Sequence, residues 1–491
     1  LGIIQRQALR TTLINLSGAA LGGITRTIMP LFMTPAYYGL LGLLDFISGV
    51  FVSIFSMGYH QILAKIFPKY RNEENGHHGL LAFGLLLSLI GIFISCLIFY
   101  FFQGEFLKKD SDVVLFDRFA LLIFPMVFFR IVFFNIDGYI RMLFNTVVGV
   151  FLDTVVSKLV VALAIVLIAT SVITIDGFVY FYAFSFCLPG ILIVFIAITK
   201  TSKLTAPHKS LLEKSQMQDI YGYIVFGLLL GASSSIVIYI DGLMIAKMLS
   251  LEMTGFYTFF FIAARFMLIP SNSINRIAQV ILAESWQNDD RANVLDVYRK
   301  SCLNQILLGA FLLGVGWTCL DSVLAMSEKY QAYAVYKDVF WILGLGLLIE
   351  MGTGVNASII ATSSKYRYNT YFHIGLAALV IGLNYFFIQA YQLIGAAAAS
   401  LIAMTVINIL RWYFLKKWYG LQPFNFHFLK ALTVSAAFLT LCFFFEFEAN
   451  PWIEIAVNGI GLSVLFWGGV VLLKLSPDVN QWLLKMRKKV M

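Results

Sequence analysis

The sequence predicts an all-α polytopic membrane protein of about fourteen transmembrane helices, and three observations carry that expectation. Hydrophobic residues make up 60% of the 491 positions and charged residues only 12%, a balance foreign to water-soluble domains of this length. Fourteen apolar runs are each about 20 residues long, the length a helix needs to cross a hydrocarbon core of about 30 Å. Strand-type alternation, the mark of a membrane barrel, is absent from the sequence.

The chain begins LGIIQRQALRTTLINLSGAALGG, basic and then apolar, without a small-residue cleavage pattern, and this reads as a first span rather than a signal peptide. Spans are expected at 9–30, 40–64, 80–102, 118–140, 146–170 and 178–199. A second set falls at 220–245, 255–279, 301–321, 338–361, 370–389, 393–415, 428–447 and 453–473. Residues 1–199 thus form a first six-helix lobe, 200–219 a polar basic linker, 220–417 a second six-helix lobe, and 418–491 two extra helices with a basic tail. Ahead of span nine, DDRANVLDVYRK at 289–300 carries Val294, Val297 and Tyr298 on one side and reads as an interfacial helix leading into that span.

Charge placement orients these spans. The net charge of +9 would suggest nucleic acid in a soluble protein, but 23 of the 35 Lys and Arg fall in alternate connections that share one side with both termini. By the positive-inside rule that side is cytoplasmic, so the excess is topogenic and no nucleic-acid partner is expected. The cysteines Cys96, Cys187, Cys302, Cys319 and Cys442 lie in or at the ends of apolar runs, which argues against disulfides. No GxxxxGK[ST] loop is present, and His77 with His78 stands away from other ligand-type residues, so neither a nucleotide nor a metal cofactor is expected.

Two spacings recur. Thr34 with Gly39 is echoed by Ser250 with Gly255, and Arg141, Asn145 and Thr146 by Lys365, Asn369 and Thr370. The order and sidedness match, so six spans are repeated once in parallel orientation, an arrangement that places a substrate path between two similar bundles.

Three segments carry a family resemblance: GIIQRQALRTTLINLSGAALG at the start, FPKYRNEENGHHG after span two, and AESWQNDDRANVLDVYRKS before span nine. They resemble the corresponding segments of bacterial polysaccharide flippases, the O-antigen-type translocases of the multidrug and oligosaccharidyl-lipid exporter superfamily. The resemblance implies fourteen helices, two six-helix lobes in a V, a cationic central cavity, and movement of an undecaprenyl-diphosphate-linked oligosaccharide from the inner to the outer leaflet. It also implies the bacterial cytoplasmic membrane as location and polysaccharide polymerase machinery as a partner.

An ionised group within a span must face a partner or water rather than lipid, which singles out a short set of residues. Arg130, Lys158, Arg265 and Glu350 lie near mid-depth, three bases against one acid. Guanidinium forks suit the oxygens of a diphosphate. Arg265 continues through Asn272 and Arg276 as a polar stripe toward the inner face, and Arg26 near the outer end of span one is placed to pass the group outward. Structural pairings are the alternative: Arg265 with Glu350, Arg26 with Asp45, and Lys158 with Asp153 or Asp137, whereas Arg130 has no acid at equal depth on a neighbouring span. Asp241, below Ser233, Ser234 and Ser235, is the candidate site for a coupling proton or sodium ion, with a pair to Lys247 as its alternative. Competing functions are a cation-coupled multidrug exporter, which calls for an acid-rich cavity, and a membrane glycosyltransferase or polymerase, which calls for acids or a sizeable domain outside the spans.

Overall fold

The computed structural model describes residues 3–59, 63, 66–67, 70–72, 75–107, 110–143, 147–200, 214–445, 447, 449–477 and 480. Most of the expected linker and the end of the basic tail lie outside the described residues. Among the described residues every regular element is helical. Nine helices among the described residues are long and apolar enough to cross a membrane, or eleven when each of two bent pairs counts as one span. This is a multi-pass membrane protein.

The first half comprises α1 (Ile3–Ile28), α2 (Pro35–Phe55), α3 (Leu80–Phe102), α4 (Asp110–Ala120), α5 (Ile123–Met142), α6 (Val147–Ala169) and α7 (Ile175–Lys200). Thr34 caps α2 by accepting from the Tyr37 N–H at 3.4 Å, and Pro35 occupies the first helical position where its missing donor costs nothing. The helix therefore begins five residues before the apolar run at 40 does, and Asp45 lies at its centre. The expected outer segment 103–117 holds most of α4, which apolar length alone did not separate from span four. Pro125 marks that division, since its ring opposes the carbonyl four residues back, at Leu121.

The second half comprises α8 (Lys214–Met248), α9 (Leu251–Arg265), α10 (Leu268–Gln287), α11 (Arg291–Ala325), α12 (Glu328–Ala334), α13 (Asp338–Gly352), α14 (Asn356–Thr362), α15 (Arg367–Tyr419), α16 (Phe426–Phe444) and α17 (Pro451–Leu472). Expected span eight is two helices bent by 48°. Pro270 explains the bend, because it cannot donate to Phe266 and its ring crowds that carbonyl. Spans eleven and twelve run as α15, interrupted at Gln392 where φ is 51° and ψ is −126°. The helix expected at 289–300 leads into span nine without a break: it forms the first turns of α11, which at 35 residues extends about 52 Å and overhangs the hydrocarbon core. Asp290 starts this helix by accepting from the Asn293 N–H at 2.9 Å.

Contacts divide the chain into two units, residues 1–259 with 377–392, and residues 260–376 with 393–491. In the first unit α8 packs along α2. Where the start of α9 meets the start of α2, close approach needs small residues: a Cβ on Gly39 would lie 1.8 Å from the Leu251 carbonyl oxygen, and one on Gly255 2.0 Å from that of Pro35.

Candidate functional site

Three cations gather in the first unit. Asp45 on α2 accepts from two of them at once, with Oδ2 3.4 Å from the Arg26 guanidinium of α1 and Oδ1 3.2 Å from that of Arg130 on α5. Arg130 also donates to Ser48 Oγ at 2.6 Å. The expectation that Arg130 has no acid at its depth is therefore corrected. Counting depth from an apolar run that starts at residue 40 put Asp45 too close to the outer face, whereas the cap at Thr34 carries it to mid-helix. Lys158 makes no ion pair among the described residues. Its charged neighbours are Arg26, Asp153, Asp45 and Arg130, and Asp137, one of its expected partners, pairs instead with Arg141.

The helix bearing Lys158 is locally unwound. Leu152–Val156 forms a π turn inside α6, whose i→i+5 bonding stacks residues five apart, so Asp153 and Lys158 come to one side. Both line a cavity of about 210 Å³ together with Arg130, Arg141, Phe186 and Tyr239. On α7, Tyr182 and Phe186 stand one turn apart and supply the aromatic wall. The Arg26 guanidinium lies 5.1 Å from the Tyr182 ring centre, while Arg130 lies 4.7 Å and the Lys158 ammonium 6.0 Å from that of Phe186. Each cation is thus held over a π face that attracts it without neutralising it. Arg130 and Lys158 line the cavity with Asp153, while Arg26 and Asp45 join the cluster beside it, and three cations against two acids leave the cluster a positive excess.

Sequence reasoning missed this aromatic wall. The i, i+4 spacing of Tyr182 and Phe186 was visible, but Tyr180 and Phe184 on the opposite side of α7 are exposed, and spacing alone does not tell a ligand wall from a lipid face.

Asp241 is buried in the same unit, where the Tyr257 hydroxyl donates to Oδ2 at 2.7 Å and the Asn384 amide to Oδ1 at 2.6 Å. The expected serine ligands do not join it through the bonds seen here: Ser233 and Ser235 donate to the Leu229 and Gly231 carbonyls of their own helix. Lys247 pairs with Glu105, which removes it as the partner of Asp241.

In the second unit Arg265 is the last residue of α9, at the bend, where a cation complements the partial negative charge of a helix C-terminus. Its guanidinium lies 5.2 Å from the Phe261 ring centre and makes no ion pair among the described residues. Asn272 and Arg276 are exposed on α10 beyond the bend, which breaks the single straight stripe expected to continue from Arg265. Glu350 does not pair with Arg265. It is exposed at the end of α13, and its cationic neighbour is Arg411, a residue whose place at the head of a basic inner segment hid that it is buried.

The arrangement offers guanidinium and ammonium donors that can hold an anionic group, and the scaffold around it has counterparts among solved structures. A structure of the lipid II flippase MurJ in an inward closed conformation superposes with a TM-score of 0.69 at 14% identity, covering 94% of this chain and 99% of that one. An inward-facing multidrug resistance transporter of the MATE family gives 0.57 at 16% identity over 89% of this chain and 94% of its own. A transporter of the same MOP superfamily from Pyrococcus furiosus gives 0.55 at 16% identity, over 89% and 96%. No curated protein matches the chain in sequence. The fold is accordingly of the MurJ and MATE kind. The family model for polysaccharide biosynthesis proteins matches residues 4–282, more than half of the chain, and the protein belongs to that family.

Proposed function

We propose that the protein is a flippase that moves an undecaprenyl-diphosphate-linked oligosaccharide, a polysaccharide repeat unit, from the inner to the outer leaflet of a bacterial cytoplasmic membrane. The observation that carries this reading is the cluster of Arg26, Arg130 and Lys158, the last two lining one cavity, with Asp45 and Asp153 as the acids among them. Guanidinium edges offer a diphosphate paired N–H donors, and the aromatic faces of Tyr182 and Phe186 keep the cations ordered while the site is empty. Arg265, with Asn272 and Arg276, supplies a second cationic stretch for the same anionic group. The chain itself does no covalent chemistry, and the polysaccharide polymerase machinery takes up the product.

Coupling is assigned to Asp241. A buried carboxylate held by Tyr257 and Asn384 exchanges a proton or a sodium ion as its surroundings change hydration, and ion entry by antiport supplies the driving force. The positive-inside pattern puts both termini in the cytoplasm. A multidrug exporter is the reading that MATE likeness would suggest, but cationic drugs would meet three bases here.

The direct test reconstitutes the full chain in vesicles that carry a fluorescent lipid-diphosphate oligosaccharide on one leaflet and follows its appearance on the other. Movement should require the diphosphate, because the same lipid with a neutral head group lacks the oxygens that these residues hold. Equal movement of the neutral lipid, or efflux of a cationic dye at a comparable rate, would overturn the assignment.

A further inference from the structure

Arg411 is 4% exposed, and neither its Nε nor its Nη2 has a hydrogen-bond partner among the described residues. These two nitrogens form one edge of the guanidinium, the edge whose parallel N–H bonds grip two oxygens of one anion. Leaving a charged fork buried and unpaired is costly, so its surroundings bear on what fills it.

Those surroundings belong to the second unit. Phe414 packs on Tyr368 and Phe372, with ring centres 4.9 and 5.6 Å apart, and so brings the first turns of α15 against its last ones. His373 thereby becomes a neighbour of Arg411, and its Nδ1 is also buried without a partner among the described residues. Asn369, one turn earlier on the same face, leaves its amide oxygen unbonded, and amide oxygen and nitrogen are exchangeable by a flip. Across from them α13 ends at Gly352. Gly354 takes a φ of 63°, and a Cβ there would lie 2.6 Å from Ser301 Oγ and 2.8 Å from Cys302 Sγ, so the helix breaks at this point. The break is held by Asn408, one turn before Arg411, whose Oδ1 accepts from Thr353 Oγ1 and Asn356 Nδ2, both at 2.9 Å. Glu350, exposed one turn before Thr353, is the acidic neighbour of Arg411 and makes no ion pair with it. Interrupted helices beside buried polar side chains are where transporters bind ligands.

We propose that the Nε and Nη2 edge of Arg411, with His373 as its neighbour and Asn369 one turn from His373 on the same helix, is a binding site for a phosphate-class oxyanion. Two sources share that chemistry: the head group of an anionic lipid and a soluble phosphate or diphosphate. The site is separate from the cation cluster of the first unit and does not depend on which substrate that cluster carries. Glu350 acts as its competitor, lying close enough to oppose an incoming anion.

Thermal unfolding of the purified full chain tests this, once in detergent with added inorganic diphosphate and once in nanodiscs with or without phosphatidylglycerol. The melting temperature should rise in at least one arm, and Arg411→Gln should lose that rise. Arg411→Lys, which keeps the charge without the fork, should need about tenfold more ligand for the same rise, as expected when one charge-assisted hydrogen bond is lost. Glu350→Gln should respond at lower ligand concentration than the parent. A rise with phosphatidylglycerol alone identifies the lipid head group, and a rise with diphosphate identifies a soluble anion. The proposal fails if neither probe shifts the parent, or if Arg411→Gln shifts equally, as it would when the first unit alone binds. It also fails if Glu350→Gln lowers the ligand-free melting temperature as far as Arg411→Lys does, which would make the two residues a plain ion pair.

Discussion

Gly39 and Gly255 pack against each other, each so close that a Cβ on Gly39 would lie 2.8 Å from the Gly255 nitrogen and one on Gly255 3.1 Å from that of Gly39. They also hold matching places in the spacing that recurs in the sequence, Thr34 with Gly39 and Ser250 with Gly255. Thr34 caps α2 five residues before Gly39, and Ser250 caps α9 five residues before Gly255 by accepting from the Met253 N–H at 3.1 Å. The echo in sequence therefore has a shared physical meaning, a capped helix start followed by a glycine that admits the other helix's backbone.

Gly39→Ala and Gly255→Ala should each destabilise the protein, by about 1 to 3 kcal/mol, because the obstructing atoms are backbone carbonyls and cannot swing away. Gly375→Ala is the control, since nothing lies within 4 Å of its added methyl. Melting temperatures in detergent read the difference, and an unchanged Gly39→Ala would mean that the seam opens freely.

Asp45 and Arg130 should behave differently on charge removal. Asp45→Asn leaves two partly buried guanidinium groups without their shared acid and should lower the melting temperature. Arg130→Gln leaves Asp45 still paired to Arg26, so the folded protein should persist while translocation falls at least tenfold. Comparison of folded yield with transport rate separates the two. Loss of folded protein in Arg130→Gln alone would make the residue a structural clamp.

Asp241→Asn should abolish the response of transport to an imposed proton or sodium gradient while Tyr257 and Asn384 keep the site packed. Asn384→Ala should weaken that response without removing it, since the carboxylate remains with one donor. Gradient-driven uptake in vesicles, with each ion tested alone, gives the result. A gradient response that survives Asp241→Asn would place coupling elsewhere.

Much of the fold was legible because lipid imposes one simple demand, about 20 apolar residues per crossing, and runs such as 80–102 meet it residue for residue in Leu80–Phe102. What escaped were the interruptions. The bend before Pro270, the π turn at Leu152–Val156 and the break at Gln392 are set by single residues or by packing against neighbours, and none lowers the apolarity of its run. The same blindness governed the site. Arg130 and Lys158 are visible as charges in lipid, but the sharing of Asp45 depends on which helices touch, and Arg411 stands so near Lys416 and Lys417 that its position alone does not mark it as buried.

Arg265 carries the last expectation. Its place at the C-terminal end of α9, half-buried over Phe261 and without an ion pair among the described residues, leaves its guanidinium donors for a ligand. Arg265→Lys keeps the charge and the favourable helix-end position but loses the planar fork, so it should retain partial transport, while Arg265→Ala should retain very little. Replacing Arg265 and Glu350 together by an apolar pair should not restore activity, since Glu350 neighbours Arg411 instead. Recovery of transport in that double variant, with both single variants inactive, would show that the two do pair during the cycle and that Arg265 serves to hold helices rather than to bind the diphosphate.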